Sequence, residues 1–265
     1  MTKSALVDNH NITITGPENG QPMLFAHGFG CDQEMWRHVA PHFEDRYRVI
    51  LFDYVGSGRS KRRFRRSKYQ NLSGYVDDLV EICTTLDLRD IIFVGHSVSA
   101  MIGLLAVQQI ADRFTKTILI SPSPCYLNVG EYLGGFERKE IDQLLDSLES
   151  NYQGWSDQMA SLLMYDAAHP ELTQELSQSF CRMDPTVAYT FATATFLADH
   201  RSILPGHAIP TLILQNKQDR IAAEVVGEYT SEQIPGSQLV YLDNIGHCPH
   251  LSSPQLTIDA IENFL

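Results

Sequence analysis

Six short apolar runs, recurring between segments of helical periodicity, set what this chain can fold into. They lie at 22–26, 48–52, 91–94, 116–120, 211–214 and 238–242, and most are continuous rather than alternating in polarity. A strand with one wet face alternates, whereas a strand covered on both faces reads as an unbroken apolar run. Leu79, Ile82 and Leu86 form one helical stripe between the runs, and Ile258, Ile261 and Leu265 form another. Strand–helix alternation of this kind predicts an α/β fold, a mostly parallel sheet flanked by helices. Ahead of it, Ile12 and Ile14 alternate within 8–15, which predicts an antiparallel edge hairpin.

The rhythm breaks between about Pro124 and His200. That stretch holds helical patterns only, such as Ile141, Leu144, Leu145 and Leu148, and prolines punctuate both ends. It reads as a helical insertion between two strands, placed where lids commonly sit. The expected organisation is a core of 1–123 and 203–265 with a cap of 124–202. A chain of 265 residues is long enough for one such core.

Charge and cysteines narrow the function classes. The formal net charge is −12, which argues against nucleic acid as a bulk electrostatic partner. Five scattered cysteines with no CxxC pair point away from a disulfide framework or a zinc knuckle. There is no apolar leader in the first residues and no run of membrane-spanning length, so a cytoplasmic protein without membrane association is expected. The segment 61–68, K-R-R-F-R-R-S-K, stands apart. It reads as a solvated loop or an internal counter-charge more readily than as an anion-binding patch.

Chemistry enters at Gly95-His96-Ser97-Val98-Ser99. This nearly matches G-x-S-x-G, a sharp strand-to-helix bend that exposes a nucleophilic serine and tolerates only small flanking residues. Ser99 replaces the second glycine. A serine hydroxyl needs a base, and the base needs an orienting carboxylate. In the order Ser–Asp–His, Asp219 after the run at 211–214 and His247 after the run at 238–242 are favoured. Asp53, Asp243 and His250 are the rivals. The glycines of His27-Gly28-Phe29-Gly30 free backbone amides to face a pocket, so the N–H groups of Phe29 and Val98 are the expected oxyanion donors.

Several ordered blocks then resemble one family: H-G-F-G-C-D-Q at 27–33, L-F-D-Y-V-G-S-G at 51–58, G-H-S-V-S-A-M-I-G at 95–103, S-P-S-P-C-Y-L-N at 121–128 and G-H-C-P-H at 246–250. They resemble the α/β-hydrolase superfamily along essentially the whole chain, and within it the RsbQ-type bacterial hydrolases and the plant strigolactone and karrikin receptors. The resemblance implies a four-helix cap over a hydrophobic pocket and a triad of Ser97, His247 and Asp219. It further implies that Phe29, Phe136, Trp155, Met159 and Phe196 line the cavity, with His96 beside the elbow and within reach of a ligand. Two roles are implied: hydrolysis of a small apolar ester or butenolide-like lactone, or ligand-gated binding of a signalling protein through the cap. The basic run departs from the family pattern.

Other chemistries fit poorly. Ser97 excludes the dehalogenase and epoxide-hydrolase branch, whose nucleophile is an aspartate. Neither Gly28-Phe29-Gly30 nor Gly56-Ser57-Gly58 continues to the third glycine of a dinucleotide fingerprint, since Gln33 and Lys61 stand there. His247 and His250 without an H-E-x-x-H pattern give no metal-hydrolase signature, and no metal or other cofactor is expected.

Overall fold

The computed structural model describes residues 2–165 and 169–265. Its seven strands are β1 Thr13–Thr15, β2 Gln21–Ala26, β3 Tyr47–Leu51, β4 Ile91–His96, β5 Phe114–Ile120, β6 Thr211–Gln218 and β7 Gln238–Ile245. They form one sheet in the order β1-β3-β2-β4-β5-β6-β7, with only β1 antiparallel to its neighbour. All six predicted runs are strands. Central β4 is buried along its whole length, as its continuous apolar run requires, whereas edge strand β7 is half exposed.

The helices are α1 Lys3–Asn9, α2 Arg66–Tyr69, α3 Ser73–Thr85, α4 Val98–Ile110, α5 Arg138–Ser150, α6 Tyr152–Met164, α7 Pro170–Cys181, α8 Pro185–Phe196, α9 Glu224–Gln233, α10 Pro249–Ser252 and α11 Pro254–Phe264. Helix α4 packs on β4 and β5, and α9 and α11 pack on β6 and β7. The segment between β5 and β6 carries α5 to α8. Local chemistry starts each of them: Glu137 and Glu140 form a reciprocal capping box for α5, and Asn151 caps α6. Asp184 caps α8, with Pro185 next to it, and Pro170 opens α7. On α5, Ile141, Leu145 and Leu148 are buried. Among the described residues no helix is long and apolar enough to cross a membrane.

One expectation changes. Residues 8–15 are not a hairpin. Thr2 caps a helix that runs to Asn9 and buries Leu6, leaving three residues for β1. Because β3 already lies beside β2, β1 has only the outer edge of β3 to pair with. The basic run divides into two populations. Arg62 and Lys68 turn inward to the fully buried carboxylate of Asp78, and Arg62 also reaches Glu81 at 2.9 Å. Lys61, Arg63, Arg65 and Arg66 stay exposed.

Candidate active site

The bend between β4 and α4 is held in a conformation that costs energy. Ser97 sits at φ 56° and ψ −122°, outside the left-handed helical basin, where a non-glycine residue carries about 1–3 kcal/mol of strain. Its N–H donates to Ile120 O on β5 at 2.8 Å, and its C=O accepts from Ala100 N at 2.9 Å. A Cβ on Gly95 would meet Ser99 O at 2.8 Å, so the first small residue of the motif is sterically required. Ser99 does more than fit: its Oγ donates to His27 O at the end of the β2 segment and lies 3.0 Å from the Tyr54 hydroxyl.

Three side chains from the ends of β4, β6 and β7 meet in a line. His247 Nδ1 donates to Asp219 Oδ2 at 2.7 Å, which leaves Nε2 to accept from Ser97 Oγ at 2.8 Å. The other oxygen of Asp219 accepts from the backbone N–H groups of Ile221 and Ala222 at 2.8 and 3.0 Å. All three residues are buried. Gly246, at φ 92°, lets this loop press against α6, where an added Cβ would stand 2.4 Å from Met164 O. The His247 N–H donates to Leu163 O on the same helix at 2.6 Å. The histidine is therefore tied to α6 through its backbone.

The rivals lie elsewhere. Asp53 accepts from Asn11 Nδ2, Gln33 N and Arg59 N, which makes it the tie of a surface loop. Asp243 has 87% of its side chain exposed, beside Lys217. His250 is buried against Trp36, with ring centroids 4.6 Å apart.

The amides of Phe29 and Val98 have no hydrogen-bond partner among the described residues. Phe29, His96, Met159 and Phe196 line a cavity next to Ser97 and His247. The cavity is small, about 20 Å³, close to the space of a single water and far below the roughly 300 Å³ at which ligand pockets begin. Phe136 and Trp155 are not in its wall. Phe136 is half-buried in the stretch before α5, bonded through its backbone to Tyr126 and Asn128. Trp155, on α6, lies 5.1 Å from the Phe180 ring, is stacked on Tyr152 and reaches the Phe29 ring at 6.0 Å from outside that wall. Tyr126 was not anticipated. Its hydroxyl lies 3.4 Å from Ser97 Oγ, and burial pushes its pKa up to about 12 although the hydrogen bond to Ser97 acts in the other direction. The S-P-C-Y-L-N block after β5 carried that signal.

His96 is buried, its Nε2–H donating to His247 O at 2.9 Å. Burial first, then the neighbouring His250 and His247, push its pKa well below the usual imidazole range, so it stands neutral beside His247.

A family model described as the alpha/beta hydrolase family matches residues 23–260. The chain belongs to the α/β-hydrolase family. This α/β hydrolase is 37% identical over 254 residues to the karrikin insensitive 2 receptor CA of Petunia hybrida, covering 95% of this chain and 94% of the relative. It is 37% identical over 260 residues to a strigolactone esterase of Pisum sativum, covering 97% of each. Among solved structures, a hydrolase from Oleispira antarctica superimposes with a TM-score of 0.96 at 43% identity, covering 100% of this chain and 97% of that one. The resemblance to the plant receptor group is thereby borne out.

Proposed function

We propose that this α/β hydrolase is a serine hydrolase of small apolar esters or butenolide-like lactones. The observation that carries the reading is the buried line Asp219–His247–Ser97, with links of 2.7 and 2.8 Å, at a strained strand-to-helix bend. Ser97 passes its proton to His247 Nε2 as its oxygen bonds to the carbonyl carbon. The electron pair moves onto the carbonyl oxygen, where the Phe29 and Val98 amides donate to it. His247 then protonates the leaving alkoxide, which departs from an ester or stays tethered in an opened lactone. Water, deprotonated by the same nitrogen, releases the acyl group from Ser97. Asp219 holds the tautomer and stabilises the imidazolium throughout.

The cavity's apolar wall of Phe29, Met159, Phe196 and Tyr126 supports an apolar substrate. Its volume means that the cap of 124–202 moves before a ligand enters. Small p-nitrophenyl esters and racemic butenolides test the reading: many turnovers per chain, lost in Ser97→Ala without loss of fold, are expected. Undiminished hydrolysis by Ser97→Ala would reject it.

One observation favours a second reading, a ligand-gated receptor with slow or single-turnover hydrolysis that binds a protein through the cap. The hydrogen bond from His247 N to Leu163 O on α6 couples cap position to the triad. Intact-protein mass under turnover separates the two. A burst followed by a stable adduct marks a receptor, and steady release marks an enzyme.

A further inference from the structure

Helix α7 is fastened at three points to the segment that follows β2. Arg37 donates to both oxygens of Glu175 at 2.7 and 2.8 Å, Ser179 Oγ donates to Gly30 O at 2.8 Å, and Arg182 pairs with Asp32 at 3.1 Å. Glu175, Ser179 and Arg182 are spaced i, i+4 and i+7, so they share one face of the helix. At the middle tie the approach is close. Gly30 has φ 77°, and a Cβ there would stand 1.8 Å from Phe180 Cε1.

What α7 holds is the turn Gly28–Cys31. Cys31 N closes it by donating to Gly28 O at 3.3 Å, and Gly30 supplies the positive φ that the third position of a type II turn takes. Gly28 O also accepts from His27 Nδ1–H at 2.8 Å, and Phe29 O accepts from Cys31 Sγ at 3.6 Å. Those two carbonyls are satisfied within the segment itself, whereas Gly30 O is held by Ser179. The Phe29 ring is gripped as well, by Trp155, Phe180, Phe191 and Phe196 at centroid distances of 6.0, 5.5, 5.3 and 6.4 Å. Its N–H is left over. That amide has no partner among the described residues.

We propose that Ser179 is a positioning residue for the oxyanion hole: its bond to Gly30 O fixes the turn that aims the Phe29 amide, so the hole is complete only while α7 is seated. This deepens the serine-hydrolase reading and rests on it. Ser179 touches no reacting atom and acts through Gly30. Without its hydroxyl, Gly30 O turns toward water and the turn loses the tie that comes from outside its own segment. The rate is sensitive to such a change, since a misplacement of about 1 Å costs on the order of 10²-fold and a lost oxyanion donor about 10²–10³-fold. The cavity over Ser97 has to open before a ligand enters, and lifting α7 breaks the tie. Bond cleavage therefore waits until α7 has settled back over the bound ester.

The test compares the full wild-type chain with Ser179→Ala, Ser179→Thr and Ser177→Ala. Ser177, on the same helix, donates to Asp157 on α6 and makes no hydrogen bond to the turn, so it controls for the loss of a hydroxyl. Each protein is assayed with a short p-nitrophenyl ester and with two inhibitors, a trifluoromethyl ketone and its methyl ketone counterpart. Ser97 Oγ adds to the carbonyl carbon of the first, its proton passing to His247 and the carbonyl electron pair becoming an oxyanion. The methyl ketone binds without addition. Ser179→Ala should lower kcat about tenfold with KM within about twofold, and weaken the trifluoromethyl ketone by the same factor as kcat. Methyl ketone affinity should not change. Ser179→Thr, which keeps the hydroxyl, and Ser177→Ala should both stay near the wild-type rate. Independently of catalysis, amide hydrogen exchange across 28–33 should quicken in Ser179→Ala alone. An unchanged kcat in Ser179→Ala, an equal fall in Ser177→Ala, a threonine variant as slow as the alanine one, or both ketones weakened alike would overturn the assignment. A wild type that hydrolyses nothing, with exchange still quickened by Ser179→Ala alone, would leave Ser179 as the anchor of the turn and remove the serine-hydrolase reading instead.

Discussion

Ser99 joins the start of α4 to the strand that leads into the Phe29 loop: its Oγ donates to His27 O and stands 3.0 Å from the buried Tyr54 hydroxyl. The sequence motif asks only for a small residue here, and by that criterion Ser99→Gly is free. The structure changes the expectation. Removing the hydroxyl leaves Tyr54 without its hydrogen bond, at a cost of about 1–3 kcal/mol. Ser99→Gly should lower the denaturation midpoint accordingly while kcat stays within about tenfold, since no reacting atom is touched. Urea unfolding alongside ester kinetics checks both halves. An unchanged midpoint would make the bridge energetically idle.

Asp78 anchors the basic run. Its carboxylate is fully buried and takes Arg62, Lys68 and the Tyr69 hydroxyl, the last at 2.8 Å. Asp78→Ala strands two cations and a hydroxyl, so a loss of about 3 kcal/mol is expected. Arg65→Ala, on the exposed half of the run, should stay within about 0.5 kcal/mol. Equal effects for the two would undo the division of the run into inward and outward charges.

Substrate size should answer to Met159 and Phe196, not to Trp155. The first two line the cavity, whereas Trp155 is packed against Phe180, Tyr152 and Phe29 outside its wall. Phe196→Ala should move the kcat/KM profile toward bulkier acyl groups. Trp155→Ala should instead cost about 3–5 kcal/mol of stability. A chain-length series of p-nitrophenyl esters, with a thermal melt for each variant, separates the two effects.

Much of this was legible in the sequence, for identifiable reasons. Strands β2 to β6 announced themselves because burial on both faces, or nearly so, leaves continuous apolar runs, whereas β7 kept such a run although it is half exposed. Ser97 was visible because the bend demands small neighbours at fixed offsets, and Asp219 and His247 because each follows a strand late in the sheet. What failed was three-dimensional adjacency. An apolar cap residue reads the same whether it faces a ligand or another helix, so Trp155 and Phe136 could not be told from Phe196. Tyr126 reaches Ser97 Oγ only through the folded path of the segment after β5. Likewise, the inward turn of Arg62 depends on Asp78, which sits on α3.

Acid sensitivity should come partly from His207, buried beside Thr117. Burial lowers its pKa to about 4. The folded state thus refuses a proton that the unfolded chain accepts below about pH 6.5. Its contribution is complete above that pH and is lost as pH falls toward 4, by at most about 1.4 kcal/mol per pH unit. His207→Gln should flatten the fall in unfolding free energy between pH 6.5 and 4. A variant with the wild-type slope would mean that other groups govern acid unfolding.

The central claim is that Asp219, through His247, activates Ser97. The most direct measurement is kcat for a short p-nitrophenyl ester at one pH in wild type, Asp219→Asn and Asp243→Asn, each confirmed folded by its melting midpoint. With the line of hydrogen bonds at 2.7 and 2.8 Å intact only in the second variant, Asp219→Asn should lose on the order of 10⁴-fold in kcat with KM little changed. Asp243→Asn, whose carboxylate is exposed, should remain near wild type. Equal losses in the two folded variants, or a fully active Asp219→Asn, would contradict the account.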